Sequence, residues 1–215
     1  MNEETLSSGF FGEDITLDIY TDLKEFYTPA NGFSRLHLCR RYGKLHILKS
    51  LQPFYSSQEF YKQLLLKEFN IGYQLDHPNI RHTLGWEKND LLGNYIVLEY
   101  IDGIPLTTFI EQGKLTQALA YKFITEICNA LQYIHSKQLI HKDLKPNNIL
   151  ITHNGNNVKL IDFGLADCDD YEILKIPAGT EKYLAPEQLN PNATLDCRTD
   201  IYSLGIIIEE LSIIL

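Results

Sequence analysis

His141-Lys-Asp-Leu-Lys-Pro-Asn-Asn148, continued by Ile149-Leu-Ile-Thr152, Asn154-Gly155, Val158-Lys-Leu-Ile161 and Asp162-Phe-Gly164, is the stretch from which the fold is read. Two short apolar runs flank Asn-Gly, a strong hairpin signal because both residues accept the left-handed backbone that tight turns need. A hairpin sets the outer ends of its arms side by side. Asn148 and Asp162 are therefore expected as neighbours although 14 positions separate them. Two oxygen-bearing side chains so placed suit a hard cation such as Mg²⁺, which takes few protein ligands and leaves room for phosphates. Asp143 falls beside them, where a carboxylate can accept a hydroxyl proton, and Lys145 can neutralise charge on a transferred phosphoryl group. Taken singly, each of these side chains would more often be a surface residue.

Outward from this hairpin, the apolar period divides the chain near residue 102. Phe123, Ile127, Ala130, Leu131 and Ile134 mark a long amphipathic helix with Thr116 as its cap. Asn94 to Ile101 is an apolar strand closed by Asp102-Gly103, where a crossing between two lobes is expected. From Ser57 to Leu75 the period is helical, and Leu64, Glu68, Ile71 and Leu75 share one stripe. Glu68 is then either a solvated group at the stripe's edge or one half of an ion pair. In Leu45-His-Ile-Leu-Lys-Ser50 the strand period puts Lys49 on one face with Leu45 and Ile47.

The 215 residues, 44% of them hydrophobic, suffice for a sizeable core, and a formal charge of −9 argues against nucleic-acid backbone binding. Cys39, Cys128, Cys168 and Cys197 form no paired spacing, which fits a reducing cytoplasm better than a disulfide or zinc framework. Met1 to Leu6 has no signal-peptide pattern. The most apolar run, Ile201 to Leu215, is broken by Glu209 and Glu210, so a buried helix is expected and no membrane span.

These motifs resemble, in order and spacing, those of eukaryotic-type serine/threonine protein kinases. His141 to Asn148 is similar to the catalytic loop, Asp162-Phe-Gly164 to the metal-binding motif, and Ala185-Pro-Glu187 to the end of the activation segment. Lys49 resembles the phosphate-anchoring lysine and Glu68 its helical partner, nine residues before His77-Pro-Asn-Ile80, which favours the ion pair for Glu68. Ile96 to Ile101 resembles the hinge, Gly179-Thr180 the segment before the substrate pocket, and Asp200-Ile-Tyr-Ser-Leu-Gly205 the central helix of the large lobe. The resemblance implies an α+β, two-lobed fold. A β-rich small lobe with one helix over 26–101 would follow an extension, 1–25, and precede a mainly helical large lobe, 102–215, that lacks its last helices. It implies phosphoryl transfer from ATP with Mg²⁺ to serine or threonine of a protein substrate. Asp143, Lys145, Lys49, Glu68 and Thr180 are the implied catalytic group, and Asn148 and Asp162 the metal ligands. Leu36 and Ile47 would lie above adenine, Leu150 below it, Glu99 and Ile101 beside it, with Leu98 as gatekeeper.

Several departures temper the resemblance. In Thr28-Pro-Ala-Asn-Gly-Phe-Ser-Arg-Leu36 only Gly32 remains of a glycine-rich loop, so weaker phosphate cradling is expected, with Phe33 capping the site. Ile47 replaces a smaller residue and narrows the adenine pocket. Gly72 and Thr83 fall on the apolar spine with Phe163 and His141, unless the register is one residue off or Tyr73 swings in. Without further helices, Ile206, Ile207, Ile208 and Leu211 are expected to face water or a partner chain. Asn147 replaces the glutamate of basic-directed members, and Leu165 to Gly179 holds acids but no serine or threonine, with Lys142 replacing an arginine. These departures favour a pseudokinase scaffold as the competing reading, and a small-molecule phosphotransferase is a further one. The intact Lys49, Glu68, Asp143, Asn148 and Asp162 oppose the scaffold, and the Ala185-Pro-Glu187 segment opposes the small-molecule enzyme.

Overall fold

The computed structural model describes residues 20–28, 32–166, 181–190 and 192–214. Five antiparallel strands form the first sheet: β1 (Thr21–Tyr27), β2 (Ser34–Arg41), β3 (Lys44–Leu51), β4 (Thr83–Asn89) and β5 (Gly93–Glu99), in the order β1-β2-β3-β5-β4. Alternation along β3 and β5 sends neighbouring residues to opposite faces. Leu48 and Val97 join Cys39 and Tyr95 on one side. Ile47, Ile96 and Leu98 meet Leu65 on the other. Leu65 belongs to helix α1 (Glu59–Tyr73), which lies against that second face. The expected stripe is confirmed, since Leu64, Glu68, Ile71 and Leu75 are all buried. β1 begins at Thr21, ahead of residue 26, and is exposed along its whole length, so it carries no burial period.

A short strand β6 (Gly103–Pro105) and helix α2 (Leu106–Glu111) lead to α3 (Gln117–Ser136), whose first turn is capped as expected by Thr116 Oγ1 accepting from the Leu119 amide. Phe123, Ile127, Ala130, Leu131 and Ile134 form its buried face. The hairpin is present as β7 (Ile149–Thr152) and β8 (Val158–Leu160), antiparallel, with Gly155 at φ 83° and Asn156 at φ 48° in the turn. β6 adds on the outer side of β7. The Asn79 side chain donates to Val158 O at 2.9 Å and the Arg81 amide to Leu160 O at 2.9 Å, tying the entry of β4 to this hairpin.

Helix α4 (Arg198–Ile214) requires a correction. Ile207 and Leu211 are buried in the same core as α3, and Ile206 and Ile208 are half-buried, so they do not form the open patch expected to need a partner chain. The cover comes from within the chain. The Ser203 hydroxyl donates to Tyr183 O at 2.7 Å, and the Tyr183 hydroxyl donates to Glu210, anchoring a 3₁₀ turn at Glu181–Tyr183 on α4. Between residues 198 and 212 of this helix, Ile201 and Tyr202 are the exposed large apolar residues.

Gly72 and Thr83 do face each other. A Cβ at Gly72 would lie 2.3 Å from Thr83 Oγ1, so the threonine side chain occupies the space a larger residue at 72 would need. Tyr73 is 61% exposed and does not swing in, and the His141 and Phe163 rings pack at a tilt, centroids 4.9 Å apart.

Candidate active site

The sheet and the hairpin-bearing lobe enclose a cleft of about 710 Å³. Leu36 and Ile47 line it on the strand side, Leu150 on the hairpin side, and Glu99 and Ile101 along the connection between them. The Glu99 amide donates to His82 O at 3.0 Å, so this residue can offer a ligand its carbonyl but not its amide. Its side chain accepts from Lys159 Nζ at 3.1 Å, which braces the connection against β8. Two expectations shift here. Leu98 does not line the cleft but a recess of about 10 Å³ behind it. Phe33 packs on Tyr61, ring centroids 5.5 Å apart, and is no cap, because the aromatic face of α1 offers it a drier contact than the open cleft.

The deep end of the cleft carries charge. Lys49, on the apolar side of β3 and only 6% exposed, donates to Glu68 Oε1 at 2.7 Å and to Asp162 Oδ1 at 3.0 Å. The solvated reading of Glu68 is thereby excluded. Burial alone would drive proton loss from Lys49, but Asp162 and Glu68 outweigh it and hold the ammonium charged. Burial likewise disfavours the Asp162 carboxylate, yet Lys49 and then Arg81 hold it well below the usual range. Asp162 has φ 67°, a strained conformation for a non-glycine residue that aims its side chain into the cleft, where it is 41% exposed. Gly164 permits this packing, since a Cβ there would stand 3.2 Å from Asp162 Oδ1 and 3.3 Å from Glu68 Oε2.

Beside this cluster, Asp143 accepts from Lys145 Nζ at 2.8 Å and from Asn148 Nδ2 at 2.8 Å. Asn148 Nδ2 also donates to the Asp143 carbonyl, which leaves Asn148 Oδ1 as the atom able to meet a cation. Burial raises the Asp143 carboxyl above its ordinary value, and Lys145 opposes that rise. The loop bearing these residues hangs on the fully buried Asp200, which accepts from the His141 and Lys142 amides at 2.9 Å each and pairs with His135 Nε2 at 2.7 Å. Those bonds hold Lys142 at φ 64°. Asn147 accepts a hydrogen bond from Thr107 Oγ1.

Asn148 Oδ1 and the remaining Asp162 oxygen are hard donors at the edge of the cleft. No group of three or more His, Cys, Asp or Glu side chains suited to a metal occurs among the described residues. Two oxygen donors with open space beside them fit Mg²⁺, which keeps several waters or phosphate oxygens in its shell. Thr180, Gly179 and the acidic residues Asp167, Asp169, Asp170 and Glu172 lie outside the described residues.

Phe26, Tyr27 and Arg81 are among the lining residues that escaped the sequence reading. Phe26 and Tyr27, 60% and 57% exposed on β1, extend the strand-side wall. Arg81, just ahead of β4, lines both the cleft and the recess behind it. The one available signal was an arginine directly following His77-Pro-Asn-Ile80, at the entry to a strand.

A family model described as "Protein kinase domain" matches residues 32–213. The chain is similar to a probable serine/threonine-protein kinase of Clostridium perfringens, with 34% identity over 177 residues, 80% of this chain and 25% of that protein. Serine/threonine-protein kinase PrkC of Bacillus subtilis is 35% identical over 170 residues, 76% of this chain and 26% of that protein. Serine/threonine-protein kinase ppk25 of Schizosaccharomyces pombe is 34% identical over 168 residues, 77% of this chain and 39% of that protein. The chain thus spans between 25% and 39% of the length of these relatives. Taken with the two-lobed α+β architecture and the cleft between its sheets, the match establishes that this chain belongs to the protein kinase domain family.

Proposed function

We propose that the chain transfers the γ-phosphate of ATP to serine or threonine hydroxyls of protein substrates. The observation that carries this reading is the convergence at one end of the cleft of Lys49, bonded to both Glu68 and Asp162, with the Asp143–Lys145–Asn148 set. When bound, Mg²⁺ would screen the charge of the phosphates, and Asn148 and Asp162 are the residues that would hold it. Lys49 anchors phosphate oxygens, and Glu68 fixes the position of its ammonium. Asp143 orients the attacking hydroxyl and takes its proton at the carboxylate. Lys145, 2.8 Å from Asp143, offsets negative charge on the transferred group. Leu36, Ile47, Leu150 and the backbone of Glu99 and Ile101 enclose the base, with Leu98 in the recess behind them.

We place the activity in the cytosol. Cys39, Cys128 and Cys197 are free thiols, and no described helix is long and apolar enough to cross a membrane. Asn147, engaged by Thr107, offers no carboxylate to a basic peptide, so an arginine ahead of the acceptor is not required.

The test is incubation with labelled ATP, Mg²⁺ and a generic protein substrate beside an Asp143→Asn control. Label should appear on phosphoserine or phosphothreonine, and turnover by the control should fall about 100-fold or more with nucleotide binding retained. Equal turnover in both proteins would remove Asp143 from the reaction.

A further inference from the structure

Arg81 stands where the cleft meets the recess behind it. That recess is walled by Glu68, Gly72, Thr83, Leu98 and Phe163, and Arg81 and Asp162 border both spaces. The backbone of Arg81 is held by the hydrogen bond its amide donates to Leu160 O at 2.9 Å. Its guanidinium, by contrast, makes no hydrogen bond or ion pair among the described residues. Glu68 and Asp162 line the recess with it and Glu99 lines the cleft with it; burial disfavours the guanidinium charge, and Asp162, Glu68 and Glu99 oppose that loss. Glu68 is half-satisfied: Oε1 takes Lys49, while Oε2 is buried with no hydrogen-bond partner.

Among the described residues, Glu68, Glu99, Asp143 and Asp162 are matched one for one by cations only when Arg81 is counted with Lys49, Lys145 and Lys159. Glu99 is matched by Lys159 at 3.1 Å and Asp143 by Lys145 at 2.8 Å. Lys49 alone faces both Glu68 and Asp162, leaving one carboxylate in excess, and Arg81 supplies the missing positive charge. A cation on the wall that Asp162 shares attracts phosphate and opposes a divalent ion at that carboxylate. Arginine does not lose its proton at ordinary pH, so this charge is permanent.

We propose that Arg81 is a positioning residue that supplies a resident positive charge at the metal end of the cleft and carries part of the electrostatic load that Mg²⁺ would otherwise carry in nucleotide binding. The proposal rests on the ATP and Mg²⁺ reading of the site. It predicts nucleotide binding in this chain that survives metal removal better than it does in an Arg81-neutral variant.

The measured quantity is the ratio of the ADP dissociation constant in EDTA to that in excess Mg²⁺, determined by titration calorimetry on the 215-residue chain. ADP permits no turnover, so the ratio reports binding alone. In Arg81→Met the ratio should rise about ten-fold, the effect of one unit charge acting across roughly 10 Å at an effective dielectric of about 20. Arg81→Gln should raise it similarly and serves if the methionine variant does not fold. Arg81→Lys, which keeps the charge, should leave it within about two-fold of the parent. A ratio unchanged in both neutral variants overturns the proposal, as does an equal rise in Arg81→Lys, which would assign Arg81 a packing role. A parent chain that binds no ADP in either condition removes the ATP reading itself, an outcome seen before any substitution is made.

Discussion

Replacing Lys49 by methionine separates the stabilising and the catalytic sides of the charge cluster. The Lys49 ammonium is 2.7 Å from Glu68 and 3.0 Å from Asp162, and removing it leaves two carboxylates facing each other. Their situations differ. Asp162, 41% exposed on its side chain, can be rehydrated from the cleft, whereas Glu68, 6% exposed and already holding one unpartnered oxygen, cannot. The cost therefore falls on Glu68 and should be about 3–5 kcal/mol, the range for removing one partner of a buried pair. Glu68→Gln is milder, because Lys49 keeps Asp162 at 3.0 Å and is not left as an isolated buried charge. It loses one charge-assisted hydrogen bond, about 1.5–3 kcal/mol. The double variant Lys49→Met/Glu68→Leu should regain most of the lost stability, since the stranded carboxylate is gone and Arg81 still faces Asp162. Urea unfolding followed by the fluorescence of Trp86, the single tryptophan, measures all three in the absence of nucleotide. Trp86 packs on Phe69 of α1 at 5.5 Å and so reports the lobe in question. The double variant should bind nucleotide poorly despite its recovered stability. A Glu68→Gln cost equal to that of Lys49→Met, or no recovery in the double variant, would refute the charge argument.

Two further outcomes follow from the site and its spine. Because burial raises the Asp143 carboxyl, and activity needs it unprotonated, turnover should fall on the acid side at a pH above the ordinary aspartate value of 3.8. Lys145 opposes that rise, so Lys145→Met should move the acid limb of the kcat profile to higher pH; an unmoved limb would detach Asp143 from it. Gly72→Ala gains up to about 1 kcal/mol of helix propensity but drives its Cβ to 2.3 Å from Thr83 Oγ1, so a net loss of about 1–2 kcal/mol is expected. Thr83→Ala removes the clashing oxygen, so the double variant should be more stable than the sum of the single changes, and additive values in a urea-denaturation cycle would place the two residues apart.

Where a local period governs a contact, it was legible in the sequence. Asn154-Gly155 between two apolar runs fixed the hairpin, and with it the approach of Asn148 to Asp162, because turn chemistry acts within a few residues. The stripe Leu64, Glu68, Ile71 and Leu75 likewise gave the buried face of α1. The same periodicity could not decide whether Glu68 was paired. Its partner lies 19 residues upstream, and the carboxylate that shares this partner is 113 residues from Lys49 in the chain. Helical spacing is blind to both, and the resemblance of ordered motifs supplied that contact.

Contacts made across the fold stayed hidden for a common reason. Ile207 and Leu211 were expected to lie open because their cover is a turn around Tyr183 and the face of α3, neither of which their own spacing encodes. Arg81 was missed because an arginine at a strand entry is ordinarily solvated, and the next position on its face, Thr83, is also polar, so no amphipathic signal marks it. What brings it to the cleft is the hydrogen bond from its own amide to Leu160, the last residue of β8, which draws the start of β4 against the hairpin that bears Asp162. The hairpin that brings Asn148 to Asp162 therefore also determines which side chain stands behind them. In this chain that side chain carries a permanent positive charge, so the charge at the metal end depends on a residue that lies outside the ordered motifs.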